Sequence, residues 1–175
     1  MRETEAYRMQ CYVAMLPDAG RINQAILAAF ASLRDDPALE RSHFFAGRYE
    51  NIYVPEARMP ALSPVLAAAR RRAADYLQQP GLALSVGFWF NEMAPGHVTL
   101  PHRHDEDDEL VSGVYYVHVP QDSGELLLTQ GDVSTRVRPV AGQLVFFAPD
   151  VLHEVTENRS TRPRLSIGMN FGIRA

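Results

Sequence analysis

The chain has 175 residues, of which 46% are apolar and 22% charged, and a formal net charge of −4. That is one globular domain, large enough to bury a core without staples, and it carries no basic footprint for a nucleic acid. All 17 basic residues are arginine, which excludes Schiff-base chemistry and a Walker-type lysine, and the lone Cys11 excludes an internal disulfide or a thiolate-built metal centre.

In chain order, Tyr7 to Met15 mixes aromatic and apolar residues without a helical stripe and reads as a strand. Pro17-Asp18 opens a first helix, with Ile22, Ile26, Ala29, Phe30 and Leu33 at helical spacing and Asp35-Asp36-Pro37 at its end. A second helix is expected from Ser63 as N-cap and Pro64 at the first helical position. Its apolar stripe is Val65, Leu66, Ala69, Ala73, Tyr76 and Leu77, and Pro80-Gly81 stops it. From Gly81 the texture turns to β. Short runs rich in Val, Phe, Tyr and Leu span 83–92, 111–119, 125–130, 134–138, 143–148 and 164–171, separated by turn signals such as Asp122-Ser-Gly and Gly131-Asp. Many short strands preceded by two helices predict an α+β single domain over 1–175: a helical and strand flank at 1–80, then a jelly-roll core at 81–175 with both helices packed outside.

Six histidines are present, and four of them (His97, His102, His104 and His118) fall within 22 residues. His102 and His104 stand at i and i+2, so on an extended chain both imidazoles share a face. His153 follows 49 residues after His104, behind the apolar run Gln143-Leu-Val-Phe-Phe-Ala and a Pro149-Asp150 turn. A His-x-His pair plus one later His suits a facial metal site with open positions in a β-barrel. The last strand alternates strictly: Leu165, Ile167, Met169 and Phe171 on one face, Arg164, Ser166, Gly168 and Asn170 on the other. Ser85, Gly87, Trp89 and Asn91 likewise oppose Val86, Phe88 and Phe90. Two such strands predict a polar, functional lumen, with the apolar faces packed outward. Arg164 and Ser166 form a donor pair fit for a carboxylate.

Trp89-Phe-Asn91, Pro101-His-Arg-His104, Ser112-Gly-Val-Tyr-Tyr116, Gly142 to Phe147 with His153, and Arg164 to Asn170, in that order, resemble the 2-oxoglutarate/iron(II) oxygenases. They are most similar to a bacterial and phage subgroup with W-x-N, H-x-H, S-G-x-x-Y and R-x-S motifs. Gly47-Arg-Tyr-Glu-Asn51-Ile-Tyr looks like that subgroup's upstream strand, so the likeness covers about residues 47 to 172. The resemblance implies a double-stranded β-helix (cupin-like) fold, an Fe(2+) ion and 2-oxoglutarate as co-substrate. It further implies His102, His104 and His153 as metal ligands, and Arg164 and Ser166 on the far carboxylate of 2-oxoglutarate. Asn91 joins them as a candidate for cofactor binding, Trp89 and Tyr116 for shaping the pocket, and Tyr49 and Asn51 for its rim.

The wider family uses H-x-D/E, and here His104 stands where that acid belongs; counted as His104-x-Glu106, Glu106 is the alternative ligand. The alternative function is a metal-binding cupin, because Gly96, His102, His104 and Glu109 reproduce the first half of a cupin motif. A non-catalytic sensor barrel is the third reading. The resemblance implies hydroxylation of a substrate, and the short chain, with little material for a large lid, points to a small molecule or a peptide side chain. No basic groove points to a nucleic acid, no membrane partner is expected, and the oligomeric state is not readable. No run reaches the roughly 20 apolar residues of a membrane span, and the charged N-terminus lacks a signal-like apolar segment, so a cytoplasmic protein is expected.

Overall fold

The computed structural model describes residues 11–104 and 108–174. Strand β1 (Tyr12–Met15) leads into helix α1 (Ala19–Leu33), and a hairpin of β2 (Glu40–Phe45) and β3 (Arg48–Tyr53) follows. Two 3-10 turns then feed helix α2 (Ser63–Tyr76). The remaining strands are β4 (Leu84–Met93), β5 (Thr99–His102), β6 (Val111–His118), β7 (Leu126–Gln130), β8 (Val133–Val137), β9 (Gln143–Phe147), β10 (Leu152–Val155) and β11 (Arg164–Ile173).

The strands form two antiparallel sheets, of seven in the order β1-β9-β6-β11-β4-β3-β2 and of four in the order β5-β10-β7-β8. Strands β4 to β11 cross back and forth between the sheets as in a double-stranded β-helix, with only the β7–β8 hairpin staying within one, so residues distant in sequence become neighbours across the lumen. The flank contributes more than helices: β1 and the β2–β3 hairpin extend the large sheet at its two edges.

The outer face of the large sheet is the one the alternation assigned to the core. Leu165, Ile167, Met169 and Phe171 are all buried, in one cluster with Ile26 and Phe30 of α1 and Val65, Leu66, Ala69 and Ala73 of α2. Phe30 stacks on Phe90 of β4 with ring centroids 4.8 Å apart, and the Tyr115 hydroxyl donates to Asn23 Oδ1 at 2.7 Å. A second cluster, of Tyr116, Leu126, Leu128, Val145 and Phe147, fills space between the sheets.

Three local expectations need correction. Ser63 lies inside α2 and makes no capping bond, because a 3-10 turn over Pro60–Leu62 runs directly into the helix. The first strand begins at Tyr12, while the part of the expected strand before residue 11 lies outside the described residues. The expected β runs left out 152–155, yet His153 sits there on a strand of its own, β10.

Candidate active site

Strands β5 and β10 pair so that His102 and His153 are direct cross-strand partners. Beyond β5 the His104 amide donates to the Pro149 carbonyl at 3.0 Å, pinning the second imidazole beside the turn that precedes β10. One nitrogen from each of His102, His104 and His153 then lies within 4.8 Å of the others. The ring centroids are 4.1 Å (His102–His153), 5.0 Å (His102–His104) and 5.0 Å (His104–His153) apart.

Two tautomers are set locally. His102 Nδ1 is 2.8 Å from the Leu100 carbonyl and His153 Nδ1 is 3.0 Å from the Val151 carbonyl. A carbonyl only accepts, so both rings carry their proton on Nδ1, and Nε2 keeps its lone pair for a metal. Burial, then the His102 charge, pushes the His153 pKa down to about 3, so this ring is a neutral ligand at ordinary pH. Three imidazole nitrogens suit a divalent first-row metal, iron(II) as well as zinc, copper or nickel.

The other two histidines of the sequence cluster go elsewhere. His97 Nδ1 accepts from the Ala94 amide at 3.0 Å and closes a turn, and His118 ends β6 opposite Leu165. Glu106 lies outside the described residues. Glu109, the acid of the cupin pattern, is absent from the histidine group and instead receives the Asn170 amide at 3.5 Å. Asn158, on the segment after β10, is fully buried and structural: its amide donates to the Met93 and Arg162 carbonyls.

A cavity of about 370 Å³ joins the triad to Trp89, Asn91, Tyr116, Arg164 and Ser166. Arg164 is 2% exposed, with no carboxylate beside it among the described residues. Its Nη1 donates to the Ser123 and Gly124 carbonyls at 3.3 and 3.1 Å, and Nη2 to Met93 Sδ at 3.1 Å. Its Nε is buried without any partner. Of five N–H donors, Nε–H and one Nη2–H remain, and together they make the side-on fork that receives a carboxylate. Burial pushes the Arg164 pKa down, so an incoming anion relieves an unbalanced buried charge. The guanidinium sits 5.7 Å over the Tyr116 ring, a cation–π contact. Burial pushes the Tyr116 phenol up to about 12, so it stays protonated.

Ser166 lies between Asn91 of β4 and Tyr116 of β6 in the sheet register, and Asn91 Oδ1 is a second buried polar atom without a partner. Gly168 is obligatory: a Cβ there would meet the Trp89 indole at 2.4 to 2.6 Å. The indole lies 5.6 Å from the His104 ring. All six site residues expected from the sequence thus line one cavity. Sequence reasoning missed Met93 and the Ser123-Gly124 turn, which brace Arg164 from behind through groups that any sequence could supply. It also missed His43, whose only signal was a lone histidine beside two phenylalanines.

Residues 88–172 match the model of the family described as the 2OG-Fe(II) oxygenase superfamily. No curated protein sequence matches the chain. Among solved structures, the chain is similar to a Pseudomonas putida prolyl-4-hydroxylase, with 26% identity and a TM-score of 0.76 over 95% of this chain and 94% of that one. A Trichoplax adhaerens prolyl hydroxylase bound to a hypoxia inducible factor peptide fragment aligns at 12% identity and TM-score 0.69, over 93% and 83% of the two chains. EvdO2 of Micromonospora carbonacea var. aurantiaca, complexed with 2-oxoglutarate, aligns at 15% identity and TM-score 0.67, over 93% and 86%. The last two likenesses speak to fold alone.

Proposed function

We propose that this chain, whose residues 88–172 match the 2OG-Fe(II) oxygenase superfamily, is an iron(II)- and 2-oxoglutarate-dependent dioxygenase that couples oxidative decarboxylation of 2-oxoglutarate to hydroxylation of a peptide side chain. The observation that carries the co-substrate assignment is Arg164: a buried guanidinium with an unpartnered Nε, in the same cavity as three imidazoles. The peptide assignment is supported by 26% identity, over nearly the whole of both chains, to a protein described as a prolyl-4-hydroxylase.

In this reading His102, His104 and His153 hold iron(II), and three neutral ligands leave its charge at +2. Bound there, the ion supplies oxygen activation at the expense of 2-oxoglutarate. Arg164 receives the far carboxylate through its Nε/Nη2 fork, and Ser166 donates a further hydrogen bond. Tyr116, protonated at all working pH values, holds the guanidinium from its ring face. Asn91 offers its amide to the occupant of the lumen. The Leu126 and Phe147 side chains in the cavity wall keep water from the carboxylate end and strengthen the ion pair. No helix among the described residues is long and apolar enough to cross a membrane.

Anaerobic titration with Fe(II) and 2-oxoglutarate tests the assignment. A visible metal-to-ligand charge-transfer band, followed by succinate formation when oxygen is admitted, is expected. Metal binding without the band or succinate would instead favour a metal cupin or a sensor barrel.

A further inference from the structure

The β2–β3 hairpin supplies another part of the cavity wall, through His43, Phe44, Phe45, Glu50 and Asn51. We propose that His43 is a specificity-determining residue, whose Nε2–H donates a hydrogen bond to a backbone carbonyl of a peptide substrate at the mouth of the cavity. The inference rests on the oxygenase reading and names the chemistry of its substrate.

His43 holds φ +57 in the middle of β2, although Ser42↔Asn51 and Phe44↔Tyr49 pair regularly on either side of it. Non-glycine residues rarely adopt this conformation, and where they do the surrounding structure holds them there. Here a polar network does so. Asn51 Nδ2 lies 3.0 Å from His43 Nδ1, and Ser42 Oγ lies 2.8 Å from the same nitrogen. Asn51 Nδ2 and Ser42 Oγ also meet the Tyr53 hydroxyl, at 3.4 and 3.0 Å. An amide nitrogen only donates, so His43 Nδ1 accepts, and the neutral ring carries its proton on Nε2. Among the described residues that Nε2–H has no partner, and the side chain is exposed. Three residues thus fix the backbone, orientation and tautomer of one outward donor.

The surroundings define what it meets. Both cations of the hairpin are committed, Arg41 to the Arg34, Asp36 and Leu39 carbonyls and Arg48 to Glu50 and the Glu92 and Val98 carbonyls, so among the described residues the hairpin offers no free cation to an anionic group. Phe44 is 66% and Leu100 49% exposed beside the opening, and Phe44 packs edge-on against Tyr49 with centroids 5.0 Å apart. One neutral donor among exposed apolar groups matches a polypeptide: an apolar side chain flanked by carbonyl oxygens.

The test uses protein loaded with redox-inert zinc and 2-oxoglutarate, titrated calorimetrically with acetyl-Ala-Pro-Ala-amide. Two analogues carry a thioamide, a weaker acceptor, before or after the proline. Wild type is expected to bind the oxo-peptide and to bind one thioamide analogue more weakly. One neutral hydrogen bond is worth about two- to tenfold in affinity. His43→Ala should lose that factor and no longer distinguish oxo-peptide from thioamide. His43→Gln, which keeps an N–H donor, should recover part of it. His43→Asn, at ease at positive φ but too short to reach, should behave as His43→Ala. Wild-type affinity in His43→Ala or His43→Asn, or a thioamide penalty that persists in full without the imidazole, would overturn the proposal. Failure of wild type to bind any of these peptides while it binds 2-oxoglutarate would overturn this inference alone; failure to bind 2-oxoglutarate as well would remove the oxygenase reading with it.

Discussion

Arg164 decides most at the residue scale. Removing one partner of a buried forked ion pair typically costs about 3–5 kcal/mol, which at 1.4 kcal/mol per decade is on the order of a hundredfold to a few thousandfold in affinity. Arg164→Ala is therefore expected to lose 2-oxoglutarate binding by that factor at unchanged iron content, and Arg164→Lys to recover only part, because an ammonium cannot fork. His153→Ala is expected to show the opposite pattern, losing metal, so metal analysis beside a 2-oxoglutarate titration separates the two roles. Gly168→Ala is expected to destabilise by roughly 1–3 kcal/mol, since the added methyl overlaps the Trp89 ring; the midpoint of urea unfolding measures it. Much of this was readable in advance. Alternation along 164–171 named the lumen face, and spacing named the histidines. What sequence could not show is why Arg164 keeps a fork free. That depends on the backbone carbonyls of Ser123 and Gly124 and on the Met93 sulfur, groups whose position only the fold sets.

At the element scale, the long strands were legible and the short ones were not. Strands β4 and β11 run ten residues each and alternate cleanly. Strands β5 and β10 have four residues each, and both carry histidine, so their signal as strands is weak although they hold two of the three imidazoles. The β2 strand, Glu-Arg-Ser-His-Phe-Phe, shows no alternation because His43 breaks the pleat. Asn158 fastens the segment between β10 and β11 to the end of β4: its side chain bonds the Met93 and Arg162 carbonyls and accepts from Ser160. Asn158→Ala would take the side-chain donor from the buried Met93 carbonyl, at about 1–3 kcal/mol, while the Arg162 carbonyl keeps the Ser160 hydroxyl. A clearly lowered thermal midpoint is expected, and an unchanged midpoint would show that water replaces the amide.

For the whole molecule, the site taxes the fold in the absence of metal. His153 titrates near 3 when folded against about 6.5 when unfolded. Below pH 6.5 the unfolded chain binds a proton that the folded one refuses, so the stability of metal-free protein is full above that value and falls with acid at roughly 1.4 kcal/mol per pH unit until the folded ring protonates. Burial shifts His97 and His118 in the same direction. Denaturant titrations of metal-free protein between pH 7 and 5 should show this slope, and His153→Phe should flatten it.

The packing of Trp89 over Gly168 has an optical consequence. Trp89 is the only tryptophan in the chain, and its ring centre lies 5.6 Å from that of His104. All indole emission therefore arises within a few bond lengths of the three imidazoles. An open-shell ion such as iron(II) or cobalt(II) held there should quench that emission almost completely, whereas zinc, with a filled d shell, should leave most of it. A cuvette titration then counts occupied sites with no label attached, and emission left unchanged by cobalt would mean that the metal sits elsewhere.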